Sequence, residues 1–305
     1  MGQALRRLLG CYGGEVVSFP SGRRVVAGQL LAEGGFSFVH RAEDPGTGQQ
    51  YALKKMLCQD SGGRAAASAE AEVHARFRHE NLLELVDRAF QPHPSSRHVD
   101  VCWLLFPLCR GSLRSEITRR VLRDQPSEEW TPARVAALLA GVCSGLHEMH
   151  LQGIAHRDVK PENVLLRLES TPSCPFGVPV LMDFGSCGST EVPIRGRQDA
   201  LLEAERAATN CTMQYCAPEL FDVPSGIGAL SYASADVWAL GCTWLVRYCC
   251  LLGYSPFEVE FDHQPPCAPR QVDASHLRVL AGVPWPRAGP RSAFSAARKS
   301  APYPQ

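Results

Sequence analysis

Short apolar runs separated by turn residues make up the first part of the chain. Between Val25 and about Leu57 these runs alternate with polar positions, and Asp44-Pro45-Gly46-Thr47-Gly48 is a strong hairpin signal. A later apolar run, Val101–Pro107, has the length of a buried strand. The pattern predicts a small antiparallel sheet near the N-terminus.

Longer periodic segments follow and predict helices. Alanine-rich Arg64–Phe77 is the first, and Leu113–Leu122 and Thr131–Leu151 come next, the last beginning with a Thr-Pro pair that suits an N-cap and a first helical position. Val237–Tyr254 is the most apolar stretch, but an arginine interrupts it, so we expect a buried core helix rather than a membrane span. Strands followed by helices indicate an α+β fold with a small sheet lobe and a larger helical lobe.

Composition narrows the class of protein. Among 305 residues, 31 Lys and Arg balance 31 Asp and Glu, so no chain-wide charge favours nucleic-acid binding. The 13 cysteines form no C-x-x-C pair, and residues 1–10 are too short and arginine-rich for a secretory signal. We therefore expect a cytoplasmic protein with reduced cysteines and no zinc site.

Phosphate-binding chemistry is indicated in the predicted sheet. Gly34 and Gly35 lie in a turn where the lack of a Cβ lets backbone N–H groups approach phosphate oxygens. Lys54, on the next strand, adds a cation. Each feature alone is more often a plain turn or a solvated strand-edge lysine, but the combination favours a phosphate site.

Two later segments carry the groups that phosphoryl transfer needs. His156–Asn163 contains Asp158, with a lysine two residues later and an amide five residues later. This arrangement suits a loop that accepts a proton from a hydroxyl, neutralises a phosphoryl group and holds a metal. In the apolar segment that ends Asp183-Phe184-Gly185, the carboxylate is placed to face a hard cation such as Mg²⁺.

These segments, in this order and followed by Ala217-Pro218-Glu219, resemble the signature of eukaryotic protein kinases. The resemblance runs from about Gln29 to about Glu260. It implies a two-lobed kinase domain at residues 25–262, with the sheet lobe at about 25–107, the helical lobe at about 108–262, and ATP in the cleft between the lobes.

The resemblance also implies individual roles. Lys54 would hold the α- and β-phosphates and pair with a helical glutamate, for which Glu70 fits better than Glu72. Leu31, Val39, Ala52 and Leu165 would enclose the adenine, and the loop between the first two strands would cover the phosphates. The full set of expected nucleotide-binding positions is Leu31, Ala32, Glu33, Gly34, Gly35, Phe36, Ser37, Phe38, Val39, Ala52, Lys54, Leu105 and Leu165.

The second half of the domain would supply the transfer machinery. Asp158 would accept the proton of the substrate hydroxyl, and Asn163 and Asp183 would bind Mg²⁺, with Mn²⁺ as an alternative. Lys160 and Thr212 match the serine/threonine class, so the expected partners are proteins phosphorylated on Ser or Thr. Asp236 matches the aspartate that begins the central helix of the large lobe.

A narrower resemblance is to the Numb-associated kinase family, and within it to a small myristoylated and palmitoylated serine/threonine kinase. That family has an additional helix in the activation segment, and residues 198–208 are strongly helix-forming. An ordinary surface helix would have the same sequence. The segments that carry the resemblance are residues 33–39, 51–55, 180–186 and 211–221.

Two departures from the kinase pattern leave an alternative open. Ala32 replaces the first glycine of the phosphate loop, so we expect weakened ATP affinity. Residues 263–305 form a tail rich in Pro, Arg and Ala, without the arginine that should pair with Glu219. A splice variant or a truly divergent tail would each explain this, and Glu219 would become a buried unpaired charge. The alternative function is a catalytically impaired kinase-like scaffold with an incomplete large lobe.

The N-terminus predicts a lipid anchor. Residues 1–24 hold several glycines and no hydrophobic period, so we expect a flexible leader. Gly2 follows Met1 as N-myristoylation requires, although Arg6 replaces the usual Ser or Thr, and Cys11 could be palmitoylated. The resemblance implies a peripheral protein of the Golgi or plasma membrane with a role in trafficking or secretory-pathway signalling.

Overall fold

The protein is described by a computed structural model that covers residues 14–35, 37–93, 99–122, 131–226 and 228–244. The strands, in chain order, are β1 (Val16–Ser18), β2 (Arg24–Glu33), β3 (Ser37–Glu43), β4 (Gln50–Cys58), β5 (Asp87–Pro92), β6 (Asp100–Pro107), β7 (Gly111–Ser112), β8 (Ile154–Ala155), β9 (Val164–Leu166), β10 (Pro179–Leu181), β11 (Gly188–Ser189), β12 (Glu191–Ile194) and β13 (Gly228–Ser231). The helices are α1 (Ser61–Arg76), α2 (Leu113–Leu122), α3 (Pro132–Leu151), α4 (Arg197–Asn210) and α5 (Tyr232–Trp244). Single 3₁₀ turns occur at Pro161–Asn163, Phe184–Ser186, Met213–Tyr215 and Pro218–Leu220.

The chain divides into two compact units. The first comprises the described residues within Met1–Gly111, Ala137–Met149 and Val164–Cys187. The second comprises those within Ser112–Ala136, His150–Asn163 and Gly188–Gln305. The strands and helices of the described residues confirm the α+β class that the order of elements predicted.

The first unit is built on a six-stranded antiparallel sheet in the order β1-β2-β3-β4-β6-β5. The predicted hairpin between β3 and β4 is present, and the Oδ1 of Asp44 accepts hydrogen bonds from the N–H groups of Gly46 and Thr47. Gly48 closes the turn with a φ of 73°, which favours glycine. Alternate side chains of the strands point into a core that contains Leu53 and Trp103.

The flexible leader expected through residue 24 is wrong for residues 14–24. Strand β1 pairs with β2, and Val17 and Phe19 are buried in the core of the sheet. Three residues are too short a run to show a period in the sequence, and the neighbouring glycines and prolines obscured it. Residues 1–13, with Gly2 and Cys11, lie outside the described part of the chain.

Helix α1 begins three residues earlier than its alanine-rich segment suggested. Asp60 is the N-cap, and its side chain accepts a hydrogen bond from the N–H of Gly63 at 2.7 Å. This cap offsets the low helix propensity of the two glycines in the first turn. One face of the helix is buried and carries Ala67, Glu70, Ala71 and His74. The helix therefore brings a carboxylate into the interior.

The second unit surrounds an apolar cluster that includes Ala155, Ile194, Ala217 and Leu230. Strands β12 and β13 pair beside helix α4, which confirms the helix expected at residues 198–208. Helix α5 begins at Tyr232 rather than at the predicted apolar stretch. Its described part is buried on one side only, because Val237 is 62% exposed. The remainder of that stretch lies outside the described residues.

The start of α3 agrees with its sequence signal, because the Oγ1 of Thr131 accepts a hydrogen bond from the N–H of Arg134. Among the described residues, no helix combines the length and the apolar character needed to cross a membrane.

Candidate active site

A three-residue ionic cluster lies in the first unit. The Nζ of Lys54 on β4 is 2.7 Å from the Oε1 of Glu70 on α1 and 3.5 Å from the Oδ1 of Asp183. Glu72, the rejected alternative, is exposed and accepts a hydrogen bond from Ser68 on the same helix. The predicted Lys54–Glu70 pair is therefore confirmed.

The cluster contains one positive and two negative side chains. Burial by itself lowers the pKa of Lys54, but the carboxylates of Glu70 and Asp183 more than offset it, so the pKa of Lys54 is raised above its usual value. Glu70 is buried, whereas Asp183 keeps 45% of its side chain exposed. One lysine faces two carboxylates, and the exposed one remains accessible to a cation.

Asp183 is held by the packing of the residue that follows it. Phe184 is fully buried and stacks on the ring of His74, with a centroid distance of 4.2 Å. Phe77 meets Phe184 edge-on at 6.1 Å, and His74 is hydrogen-bonded to the carbonyl of Leu83. Sequence reasoning missed His74, although its position one helical turn after Glu70 on the buried face was a usable signal.

Two of the expected adenine-binding residues pack against the same apolar cluster. Ala52 and Leu165 are partly buried and pack against a cluster that contains Leu104, Phe106 and Val180. Leu31 is 47% exposed and Val39 is partly exposed, so both remain available to a ligand.

Leu105, expected to bind nucleotide, does not fit that role. Its side chain is fully buried on the opposite face of the sheet with Leu53 and Trp103, and its carbonyl accepts a hydrogen bond from the N–H of Val86. Side chains alternate along a strand, so a shift of one residue moves a position to the other face. Leu104 and Phe106 are the residues of β6 on the side of Ala52.

The phosphate loop is the turn between β2 and β3. The N–H of Gly34 donates to the carbonyl of Ser37 at 2.8 Å, and neither Gly34 nor Gly35 has a positive φ. A Cβ built on Gly35 would meet no atom within 4 Å. A Cβ on Gly34 would lie 3.1 Å from the Oγ of Ser37, so Gly35 is the position of this turn that stays open to a ligand. Ala32, Glu33 and Phe38 continue the β2–β3 ladder, and Phe36 lies outside the described residues.

A second polar cluster, in the second unit, surrounds Asp158. The Oδ1 of Asp158 accepts hydrogen bonds from the hydroxyl and N–H of Thr212, at 2.7 and 3.2 Å. Its Oδ2 accepts from the Nζ of Lys160 at 2.6 Å and from the amide of Asn163 at 3.0 Å. The Nζ of Lys160 also donates to the Oγ1 of Thr212 at 2.7 Å. The structure thus brings together four residues that sequence reasoning selected.

The backbone of this loop is held by Asp236. Its buried carboxylate accepts hydrogen bonds from the N–H groups of His156 and Arg157, at 2.8 and 2.7 Å. Asp236 lies within α5, four residues after the helix begins, and not at its start as expected. Glu219, expected to be a buried unpaired charge, is instead partly exposed, so it does not carry the energetic cost of a fully buried charge.

Each of the two residues expected to bind magnesium offers an oxygen atom as a ligand. Asp183 offers an accessible carboxylate, and the Asn163 amide nitrogen is engaged by the carbonyl and the carboxylate of Asp158, which leaves its oxygen as the free ligand atom. Oxygen donors of this kind are those that Mg²⁺ prefers.

Comparison with known proteins places these clusters in context. The protein kinase domain family matches residues 25–273, beyond the domain end expected at residue 262. Serine/threonine-protein kinase 16 of Rattus norvegicus is 38% identical over 240 residues, which cover 78% of this chain and 73% of the relative. The Homo sapiens protein of that name is 39% identical over 234 residues, covering 76% and 71%. A probable serine/threonine-protein kinase of Dictyostelium discoideum is 28% identical over 333 residues, covering 90% and 86%.

Proposed function

This chain belongs to the protein kinase domain family and is a serine/threonine protein kinase, and we propose that it acts at a membrane surface to which its acylated N-terminus binds. The observation that carries the catalytic part is the Asp158 carboxylate, fixed by Thr212 on one oxygen and by Lys160 on the other. This arrangement holds a general base in one orientation beside a cation.

The chain's own residues suggest how transfer proceeds. Asp158 orients the hydroxyl of a substrate serine or threonine and takes its proton as the oxygen attacks the γ-phosphorus of ATP. Lys160 offsets the charge on the transferred group, and Lys54, held by Glu70, fixes the α- and β-phosphates. Mg²⁺, held by Asn163 and Asp183, would neutralise the phosphate oxygens when bound.

The substrate class can be tested on a peptide library that offers Ser, Thr and Tyr equally. We expect phosphoserine and phosphothreonine, because Lys160 and Thr212 complete the loop of the serine/threonine class. Predominant phosphotyrosine would contradict this. Autophosphorylation is a further part of the proposal.

Membership in the Numb-associated kinase family is the finer part of the proposal. Helix α4 lies between Gly185 and Ala217, where that family has its additional helix. The relatives named serine/threonine-protein kinase 16 are compatible with this assignment. A role in trafficking or secretory-pathway signalling, at the Golgi or plasma membrane, follows from the family and is proposed with it.

Membrane association rests on residues of the leader. A single myristoyl chain on Gly2 gives only marginal binding, with an association constant of about 10⁴ M⁻¹. A second signal is therefore required, and Cys11 is the only cysteine in the first 24 residues. Arg6 and Arg7 could add about 1 kcal/mol each at an anionic surface. Ser18 at the end of β1 is the last strand residue before the turn to β2, so the anchor precedes the sheet.

Cell fractionation tests the anchor. We expect Gly2→Ala to release the protein from membranes and Cys11→Ser to weaken its binding, whereas Gly10→Ala, a matched glycine change in the same leader, should have no effect. If Gly2→Ala still sediments with membranes while high salt releases the wild type, the anchor is electrostatic. If the wild type is never bound, the membrane part of the proposal is wrong.

Two features of the sequence favour the alternative function, a catalytically impaired scaffold: Ala32 and the tail at residues 263–305. Thermal unfolding with Mg-ATP separates the two functions. If the nucleotide site is competent, Mg-ATP at a concentration of 100 times its Kd adds about 2.7 kcal/mol to the free energy of unfolding. A shift with turnover supports the kinase, a shift without turnover supports the scaffold, and no shift excludes nucleotide binding.

A further inference from the structure

A continuous series of side-chain contacts connects helix α4 to the loop that carries Asp158. Glu203 lies on this surface helix, yet only 4% of its side chain is exposed. Its Oε2 accepts a hydrogen bond from the hydroxyl of Tyr232 at 3.0 Å, and its other oxygen pairs with the largely exposed Arg206. Burying a carboxylate on a helix that faces solvent is costly, so a role beyond packing is expected.

The series of contacts continues from Tyr232 to Arg157, the residue immediately before Asp158. The guanidinium carbon of Arg157 lies 3.8 Å from the centre of the Tyr232 ring, a close cation–π contact. Burial and the Glu203 carboxylate raise the pKa of the Tyr232 hydroxyl, which keeps it a hydrogen-bond donor. Glu203 therefore orients the ring on which Arg157 rests.

Arg157 is closely confined. Its Nη2 donates to the carbonyl of Ser189 at 2.8 Å, and a Cβ on Gly188 would lie only 2.5 Å from its Cζ. Its Nε is buried and has no hydrogen-bond partner among the described residues, so the ring contact contributes much of its placement. Its backbone has a φ of 68°, in a region that costs energy for a residue with a Cβ. The direction in which the chain enters Asp158 depends on this strained conformation.

We propose that Glu203 and Tyr232 are positioning residues for phosphoryl transfer, which act by holding Arg157 so that its strained backbone presents Asp158 to the substrate hydroxyl. All residues of this series of contacts belong to the second unit. The proposal rests on the kinase activity and not on membrane binding, so it is tested on the detergent-solubilised full chain.

The test compares kinetic constants of variants after phosphatase treatment, which removes any phosphate from the activation segment. We expect Tyr232→Phe and Glu203→Ala each to lower kcat about tenfold, since each removes the hydrogen bond between Tyr232 and Glu203, with the KM for ATP unchanged. Glu203→Ala also removes the ion pair with Arg206. Glu203→Gln keeps an acceptor for the tyrosine and should recover to within about threefold of wild type. Glu205→Ala, a matched change at an exposed position of α4, should have wild-type kcat.

The double variant Glu203→Ala/Tyr232→Phe distinguishes positioning from general stability. Substitutions of residues that act through the same series of contacts do not have additive effects. The kcat of the double variant should therefore be no lower than that of the worse single variant. Losses that multiply to about a hundredfold, or a kcat that falls only in proportion to the unfolded fraction, would overturn the proposal. If Glu203→Ala does not fold, Tyr232→Phe and Glu203→Gln carry the test, and wild-type kcat in Tyr232→Phe rejects it.

Discussion

The cluster around Lys54 and the cluster around Asp158 are assembled in different ways. Lys54, Glu70 and Asp183 come from a strand, a helix and the segment after another strand, and they meet only because the first unit folds. Asp158, Lys160 and Asn163 lie within one short loop, and Thr212 is the member that comes from elsewhere in the chain. The first cluster therefore depends on tertiary packing, and the second depends largely on local geometry.

The two clusters also differ in their balance of positive and negative charges, and this difference matches the role proposed for each. The Lys54 cluster has two carboxylates for one cation and leaves Asp183 accessible, so a bound cation would complete it. The Asp158 cluster balances one carboxylate with one lysine and adds neutral hydrogen-bond donors. The difference indicates that the first cluster receives a ligand, whereas the second holds a reactive group ready.

The largest effect is expected at Asp158. Asp158→Asn keeps the shape of the side chain but removes the proton acceptor, so phosphoryl transfer should fall by about 10²- to 10⁴-fold. Steady-state assays with a protein substrate measure it. Turnover within tenfold of wild type would remove Asp158 from the role of base.

The next largest effect is expected at Lys54. Lys54→Met removes the cation that fixes the phosphates and leaves Glu70 buried without its partner, so transfer should fall by about 10²- to 10³-fold. Lys55→Met is the matched control, because Lys55 pairs with Glu15 and contacts Trp103 instead. A larger loss in Lys55→Met would show that the register of β4 is wrong.

A smaller effect is expected at Thr212. Thr212→Val removes the hydroxyl that donates to Asp158 and accepts from Lys160, so kcat should fall about tenfold. Thr212→Ser keeps the hydroxyl and should remain close to wild type. Equal losses in both variants would mean that the methyl group, and not the hydroxyl, matters.

The smallest effect concerns pH. The pKa of Lys54 is raised in the folded protein, so from neutral pH up to its unfolded pKa of about 10.5 its ion pairs stabilise the fold in full. This contribution is lost only as the pH rises through the folded pKa. The difference in unfolding free energy between wild type and Lys54→Met should therefore be constant from about pH 7 to 9 and shrink in stronger alkali. A change near neutrality would contradict the raised pKa.

The sequence predicted what local patterns encode. The β3–β4 turn, the N-cap of α3 and the helix at residues 198–208 follow from short motifs or helix propensity. The Lys54–Glu70 pair follows from the family resemblance. Prediction from the sequence failed where burial is decided by packing across the fold. Strand β1 was taken as a flexible leader, because three residues show no period.

Within the site, Leu105 was expected to bind nucleotide, but its side chain is buried with Leu53 and Trp103. An apolar strand that is buried on both sides has no alternation of apolar and polar residues to show which ones face a ligand. Tyr232 and Glu203 had no motif at all, since a buried glutamate on an exposed helix looks in sequence like any surface glutamate. These residues are recognised only from their contacts.

The central claim is that nucleotide binding depends on the Lys54 cluster and transfer on the Asp158 cluster. Calorimetric titration of Mg-ATP into wild type, Lys54→Met and Asp158→Asn tests it directly. The account predicts that Asp158→Asn binds with a Kd within about threefold of wild type while transfer is lost, and that Lys54→Met binds at least about tenfold more weakly. A Kd for Asp158→Asn raised as far as that for Lys54→Met would contradict the separation of the two tasks.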